Sequence, residues 1–263
     1  MRSRIHRENR ADGPEIPRVR IGPETVLHII ASGRPSGPPG GNGMEAPRGF
    51  ARSSIGRKVV MAVTGVLLVG FVIVHMIGNL QVYMGPEAMN GYAVFLREFL
   101  HGGGLWIARA VLLVAVVLHI WSATSLTLAS RRARPIGYRE QQWEESTYAS
   151  RTMRWGGVIL LLFVIYHILH MTTGTVHQSF IEGDVYHNFV AGFRVVPVSL
   201  FYIFAMLALG LHLRHGVWSM FQTLGVSHPR YIHAARVLAW IVAVVVVVGN
   251  ISFPLAVLAG LVK

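Results

Sequence analysis

The stretch VVMAVTGVLLVGFVIVHMIGNL, residues 59–80, decides the fold class of this chain. It contains no Lys, Arg, Asp or Glu, and His75 is its only ionisable side chain. An α-helix of about 20 such residues covers the hydrocarbon core of a bilayer, which is roughly 30 Å thick. The stretch therefore predicts a helix that spans a membrane.

Four later segments have the same character, at residues 105–129, 156–176, 195–221 and 237–261. The composition agrees with this interpretation, because 52% of the residues are hydrophobic, only 14% are charged and the mean hydropathy is +0.48. An ordinary soluble domain has about a quarter of its residues charged. We therefore predict an all-α membrane protein, a bundle of five transmembrane helices.

The net charge is +12, from 24 Lys and Arg against 12 Asp and Glu, which taken alone would favour a nucleic-acid-binding protein. The basic residues lie between the apolar runs, however, and this is typical of a membrane protein rather than of a partner for nucleic acid. By the positive-inside rule the three basic segments are cytoplasmic, which places the N-terminus in the cytoplasm and the C-terminus outside. These segments contain Arg52, Arg57 and Lys58, then Arg131, Arg132, Arg134, Arg139, Arg151 and Arg154, then Arg230 and Arg236.

Residues 1–52 differ from the rest of the chain, since they are rich in Arg, Pro and Gly and have no apolar periodicity. This composition predicts a disordered basic tail ahead of a membrane domain at 53–263. Met44 offers an alternative start just before the first span. Residues 1–43 are accordingly either an extension upstream of the true start or a basic arm close to anionic lipid.

The absence of Cys excludes structural disulfides, thiol nucleophiles and iron–sulfur ligation by this chain. Histidine is what interrupts the apolar spans. Six of the 13 histidines fall inside the first four spans: His75, His119, His167, His170, His212 and His215. Polar groups inside a membrane are costly and mark function, so we interpret these residues as ligands rather than as chance interhelical hydrogen bonders.

The surroundings of these histidines favour haem over other metal sites. A carboxylate-bridged di-iron centre needs Glu within the helices, and these spans have none. A zinc or copper site needs three or four ligands at one depth, whereas haem needs only two histidines on facing helices. With a rise of about 1.5 Å per residue, His119 and His212 fall on the cytoplasmic side. His75 falls on the outer side, where either His167 or His170 is its partner, with depth slightly favouring His170.

Several motifs resemble the di-haem cytochrome b membrane anchor of succinate dehydrogenase and fumarate reductase, the succinate:quinone oxidoreductases of cytochrome b558 type. The resemblance covers about residues 53–263. The motifs are SSIGRK at 53–58, VHMIGN at 74–79, GPEAMNGY at 85–92, YHIL at 166–169 and LHLRHGVWS at 211–219.

The resemblance implies a subunit of the bacterial cytoplasmic membrane that binds two haems b. It would dock a flavoprotein and an iron–sulfur subunit on its cytoplasmic face and exchange electrons with a quinone, menaquinone being the expected one. The dicarboxylate chemistry would belong to the flavoprotein. The family's axial ligands fall on His75, His119, His167 and His212, so the family favours His167 where depth favours His170. His170 and His215 would then lie beside the haems.

Two further residues are candidates for roles around these cofactors. Arg109 would either hold a haem propionate or extend to the lipid headgroups. Glu98, in an outer loop, would handle protons for the quinone. Ser122, Thr124 and Ser125 are candidate partners for the second ring nitrogen of His119.

Three other readings remain open from the sequence. The chain is also compatible with the cytochrome b anchor of a hydrogenase, formate dehydrogenase or nitrate reductase. A haem transporter and a haem-free structural anchor are the remaining alternatives.

Overall fold

The computed structural model describes residues 53–133, 148–226 and 228–263, and the side chains of 148–152 and 229 are excluded from that description. The predicted tail at 1–52 and most of the basic loop after the second span therefore lie outside the described residues. The described residues form seven α-helices and no strand. They are α1 Ser54–Asn79, α2 Pro86–Glu98, α3 Gly103–Arg132, α4 Tyr148–His167, α5 Val185–Arg194, α6 Val196–Thr223 and α7 Pro229–Leu258.

Five of the described helices are long and apolar enough to cross a membrane, which confirms the predicted fold class. They are α1, α3, α4, α6 and α7, and the predicted spans coincide with them except at their ends. The chain is thus a multi-pass membrane protein.

The helix ends differ from the predicted spans because local capping extends or shortens the helices beyond their apolar runs. The first helix begins at Ser54 rather than at 59, since the backbone N–H of Gly56 donates to Ser53 Oγ at 2.9 Å. The fifth span, helix α7, begins at Pro229 rather than at 237, because His228 caps it: His228 Nδ1 accepts from the N–H of Arg230. The third span, helix α4, ends as an α-helix at His167 and continues only as a π-helical turn, Ile168–Thr172.

Helix α6 is the centre of the bundle, because it packs against α1, α4 and α7, while α3 packs mainly against α1. Ala205 of α6 and Val246 of α7 are completely buried. This arrangement places α6 next to the helices that carry His75 and His167, and α1 next to the helix that carries His119. The side chains that project from α1, α3, α4 and α6 can therefore meet inside the bundle.

The short helices α2 and α5 lie together at one end of the bundle, which we call the capped end. Asn90 of α2 joins them: its Nδ2 donates to Asp184 Oδ1 at 3.0 Å, and its Oδ1 accepts from the N–H of Tyr186 at 3.0 Å. Asp184 also caps α5 by accepting from the N–H of His187. These hydrogen bonds hold the pKa of Asp184 below its usual value, the bond from the His187 backbone contributing most.

Candidate functional site

The rings of His75 in α1 and His167 in α4 lie against each other near the capped end. Their centroids are 5.7 Å apart and their planes are inclined at 84°. Phe71 stacks on His75 at 5.3 Å, and Phe163 stacks on His167 at 5.7 Å. Each ring is thus held by an aromatic residue one turn earlier in its own helix.

The rings of His119 in α3 and His212 in α6 form a second pair. Their centroids are 6.3 Å apart, with an angle of 57° between the planes. All four paired histidines are half-buried. The structure therefore brings His119 and His212 together, as their depths along the spans predict. It brings His75 next to His167, the residue that the family resemblance favours, rather than next to His170, which depth slightly favours.

The two pairs lie at different levels of the bundle. Thr64 of α1 contacts His119, and His75 follows 11 positions later in the same helix, which at about 1.5 Å per residue separates the pairs by roughly 16 Å. Helix α6 gives a similar value, since Tyr202 contacts His167 and His212 follows ten positions later, roughly 15 Å away. Two sites are therefore stacked across the membrane-spanning part of the chain.

The separation of the rings suits a metal ion bound between them. With metal–imidazole bonds of about 2.0–2.1 Å, two rings on opposite sides of one ion have centroids roughly 6 Å apart. The measured 5.7 and 6.3 Å are close to this value. No group of three or more His, Cys, Asp or Glu that could hold a metal ion occurs among the described residues. Ligation by two histidines is the pattern of haem b, so the residues present fit that cofactor.

An orphaned polar atom gives a second indication that a bound group belongs here. His212 Nδ1 is buried and has no hydrogen-bond partner among the described residues, and the same holds for Trp218 Nε1, six positions later in α6. Buried polar atoms in native proteins are nearly always paired, and an unpaired one needs an explanation. A bound group with a polar edge would supply a partner for Trp218 Nε1 at this end of the bundle.

The second ring nitrogens of two candidate ligands have partners that their positions in the sequence do not predict. Thr64 Oγ1 lies 3.1 Å from His119 Nδ1 and donates its own proton to the carbonyl of Val60 at 2.7 Å, so it accepts from the imidazole. Tyr202 Oη lies 3.2 Å from His167 Nδ1. Such partners fix the tautomer of a metal-bound histidine. Ser122, an expected partner of His119, instead donates to the carbonyl of Arg57.

His75 has a partner within its own helix. Asn79 Nδ2 lies 3.3 Å from His75 Nε2, across one helical turn. Asn79 belongs to the VHMIGN motif, whose i, i+4 spacing is the signal from which this contact could have been predicted.

The other two histidines of the spans lie beside the pairs rather than within them. His170 is only 2% exposed, stacks on His177 with centroids 4.8 Å apart and has Nδ1 3.1 Å from Tyr202 Oη. The ring facing His75 is that of His167, so the geometry favours His167 over His170 as its partner. The ring of His215 packs edge-on against that of Trp218, with the ring centroids 6.2 Å apart.

Arg109 and Glu98 lie apart from the paired rings. The Arg109 guanidinium lies 4.9 Å from the ring centroid of Trp106, and both side chains are exposed. Glu98 is exposed at the last residue of α2. Neither side chain contacts one of the paired histidines. Their predicted roles at a propionate and at a quinone therefore remain predictions.

A known protein family matches the part of the chain that carries half of this site. The model of the succinate dehydrogenase/fumarate reductase transmembrane subunit family matches residues 130–250, a little under half of the chain. This match confirms the resemblance to that family of membrane subunits. The matched segment includes α4, α5 and α6, and with them His167 and His212 of the two pairs. No curated protein and no solved structure matched the chain.

Proposed function

We propose that this chain is the electron-carrying membrane anchor of a succinate dehydrogenase or fumarate reductase. In this role it would join an iron–sulfur subunit on the cytoplasmic side to a quinone in the membrane. The observation that carries the proposal is the pair of stacked sites, each made by two facing histidines, in a chain that matches the transmembrane subunit family.

The four paired histidines would hold two haems b. His75 and His167 would hold the haem at the capped end, and His119 and His212 would hold the one at the opposite end. Bound haem b supplies one-electron transfer between ferric and ferrous iron. Two histidine ligands leave no open coordination position, so these residues would restrict the site to electron transfer and exclude oxygen binding.

The charge of the chain supports one orientation in a bacterial cytoplasmic membrane. Described basic residues that flank the spans at the end opposite the capped end include Arg57, Lys58, Arg131 and Arg132. By the positive-inside rule that end faces the cytoplasm, the N-terminus is inside and the C-terminus is outside. The iron–sulfur and flavoprotein subunits would dock on this basic face.

The capped end would then face outwards and lie near the quinone, with menaquinone as the expected type. Glu98, exposed at the end of α2, would exchange protons with it. Arg109 lies in the second turn of α3, about 15 Å before His119 and near the level of His75, and would reach either a propionate of that haem or the headgroup region. Its contact with Trp106, which is 69% exposed, supports the headgroup alternative.

The proposal is tested by purifying the tagged chain from its native membrane in detergent. Haem is quantified per chain, a dithionite-minus-ferricyanide spectrum is recorded, and the co-purifying subunits are identified. Two haems b and a flavoprotein with succinate dehydrogenase or fumarate reductase activity are expected. A hydrogenase or formate dehydrogenase subunit in place of the flavoprotein would overturn the assignment of the complex. A folded chain without haem would leave a structural anchor or a transporter.

A further inference from the structure

The hydroxyl group of Tyr202 lies between two histidines of the preceding membrane helix. Its oxygen is 3.2 Å from His167 Nδ1 and 3.1 Å from His170 Nδ1. A tyrosine hydroxyl has one proton to donate and lone pairs with which to accept. A histidine with a protonated Nδ1 donates to the Tyr202 oxygen, whereas a histidine with an unprotonated Nδ1 accepts the Tyr202 proton. If one histidine is of each kind, the two hydrogen bonds run in opposite directions.

Ligation of His167 to a metal would decide these directions. With Nε2 bound, His167 would carry its proton on Nδ1 and would donate it to the oxygen of Tyr202. The proton of Tyr202 is then free to be donated to His170 Nδ1. The result is a chain of two hydrogen bonds that runs from His167 through Tyr202 to His170.

The surroundings of this chain hold its members in place and keep water away. Tyr202 is 6% exposed and His170 is 2% exposed. The Tyr202 ring packs edge-on against Phe163 and Phe193, with centroids 5.1 and 4.9 Å away. His170 is stacked between Tyr166 and His177. Hydrogen bonds in such a low-dielectric interior are strengthened and polarise one another.

His177, which covers the far side of His170, is itself fixed by the backbone. Its Nδ1 accepts from the N–H of Ser179 at 3.1 Å, and its Nε2 donates to the carbonyl of Asn188 at 2.9 Å. Both ring nitrogens are therefore engaged, one by Ser179 in the segment before α5 and the other by Asn188 within α5. This arrangement keeps the His170 ring from turning away from Tyr202.

We propose that Tyr202 is a positioning residue for His167 and that, supported by His170, it lowers the reduction potential of the haem at the capped end. This inference rests on the proposed function, because it requires His167 to be an axial ligand. An acceptor for the Nδ1–H of a metal-bound imidazole increases the basicity of the ligand. A more basic ligand favours the ferric state, and hydrogen bonds around a ligand are among the factors by which a protein sets the potential of its haem.

The test is a potentiometric titration of both haems in the detergent-purified complex. The variants are Tyr202→Phe, which removes only the hydroxyl group, and Tyr166→Phe as the matched control. Tyr166 also packs against His170, but it does so by stacking its ring on the imidazole. The haem assigned to the capped end is the one that His167→Ala removes.

In Tyr202→Phe we expect a positive shift in the midpoint potential of the capped-end haem, with the other haem unchanged and no shift in Tyr166→Phe. His170→Leu, which takes the acceptor away from Tyr202, should give a smaller shift in the same direction, and His170→Asn should restore part of it. Loss of the capped-end haem alone from Tyr202→Phe would also support the positioning role.

Equal shifts of both haems, no shift, or the same effect in Tyr166→Phe would overturn the inference about Tyr202. Loss of both haems from Tyr202→Phe would overturn it too, because the residue would then serve the whole bundle. These outcomes leave the proposed function intact. The proposed function itself fails if the wild-type complex contains no haem, if other residues hold it, or if the co-purifying subunit belongs to a hydrogenase or formate dehydrogenase.

Discussion

The ring of His75 in α1 lies 5.7 Å from the ring of His167 in α4, at nearly a right angle, although α4 packs chiefly against α6. The second pair, His119 and His212, repeats this relationship at the other end of the bundle with a separation of 6.3 Å. Each pair thus joins helices that are distant in sequence at one level of the membrane. This repetition is the structural basis for proposing two haem sites rather than one metal centre.

Thr64 should influence the reduction potential of only one haem, the one at the end opposite the capped end. Thr64→Val removes the acceptor for His119 Nδ1 at nearly constant volume. A hydrogen bond worth about 1 kcal/mol to the ferric state corresponds to roughly 40 mV for one electron, so we expect a positive shift of at most that size. Redox titration of the purified complex measures it.

Thr173→Val is the control for this substitution, because the Thr173 hydroxyl contacts Leu169 O and Thr175 and no histidine. A shift in the haem that His167→Ala removes, or an equal shift in the control, would contradict the assignment of Thr64 to His119.

Gly192 should be intolerant of a side chain. A Cβ at this position would lie 2.8 Å from His170 Cε1 and 3.1 Å from His177 Nε2, and both rings are held by hydrogen bonds. Forcing an extra methyl group into a packed region costs about 1–3 kcal/mol. Gly192→Ala should therefore lower the thermal denaturation midpoint of the complex in detergent.

Gly91→Ala is the matched control, because a Cβ on Gly91 of α2 would meet nothing within 4 Å. Alanine is the better helix former, so this variant should be as stable as the wild type or slightly more stable. Equal midpoints for the two alanine variants would show that the contact between Gly192 and the histidines has little energetic weight.

Asp184 should stabilise the capped end in a pH-dependent way. Its folded-state pKa is lowered by hydrogen bonds from the His187 backbone and Asn90, so its contribution is fully present above its unfolded pKa of about 3.9 and is lost as the pH falls through the folded pKa. Asp184→Ala removes an N-cap and should cost about 1 kcal/mol at pH 7. Denaturation of both proteins measured from neutral to acidic pH checks this.

The difference between wild type and Asp184→Ala should become smaller toward acidic pH. A difference that stays constant down to about pH 2 would mean that the ionised carboxylate is not what joins α2 to α5.

The part of the fold that the sequence predicts is the part set by hydropathy. Uninterrupted apolar runs such as 59–80 require helices of membrane-spanning length, and the position of a histidine along its run gives its depth. Depth was sufficient to pair His119 with His212. It could not separate His167 from His170, because three residues change the depth by only about 4.5 Å, less than the uncertainty in where the helix ends.

The partners of the ligands could not be predicted, because they depend on how neighbouring helices are rotated. Thr64 lies 55 positions from His119, and Tyr202 lies 35 positions from His167. Proximity in sequence suggested Ser122 for His119, but α3 presents that hydroxyl group to the carbonyl of Arg57. The contact between Asn90 and Asp184 is likewise set by the packing of α2 against the start of α5 and has no local signal.

The central claim is that four histidines form two ligand pairs, and haem stoichiometry tests it most directly. Haem b is quantified per chain in the purified wild type and in the alanine variants of His75, His119, His167, His212 and, as the control within the same helix, His170. The account predicts two haems in the wild type and in His170→Ala, and one in each of the other four. Two haems retained in His167→Ala together with a loss in His170→Ala, or no haem in the folded wild type, would contradict it.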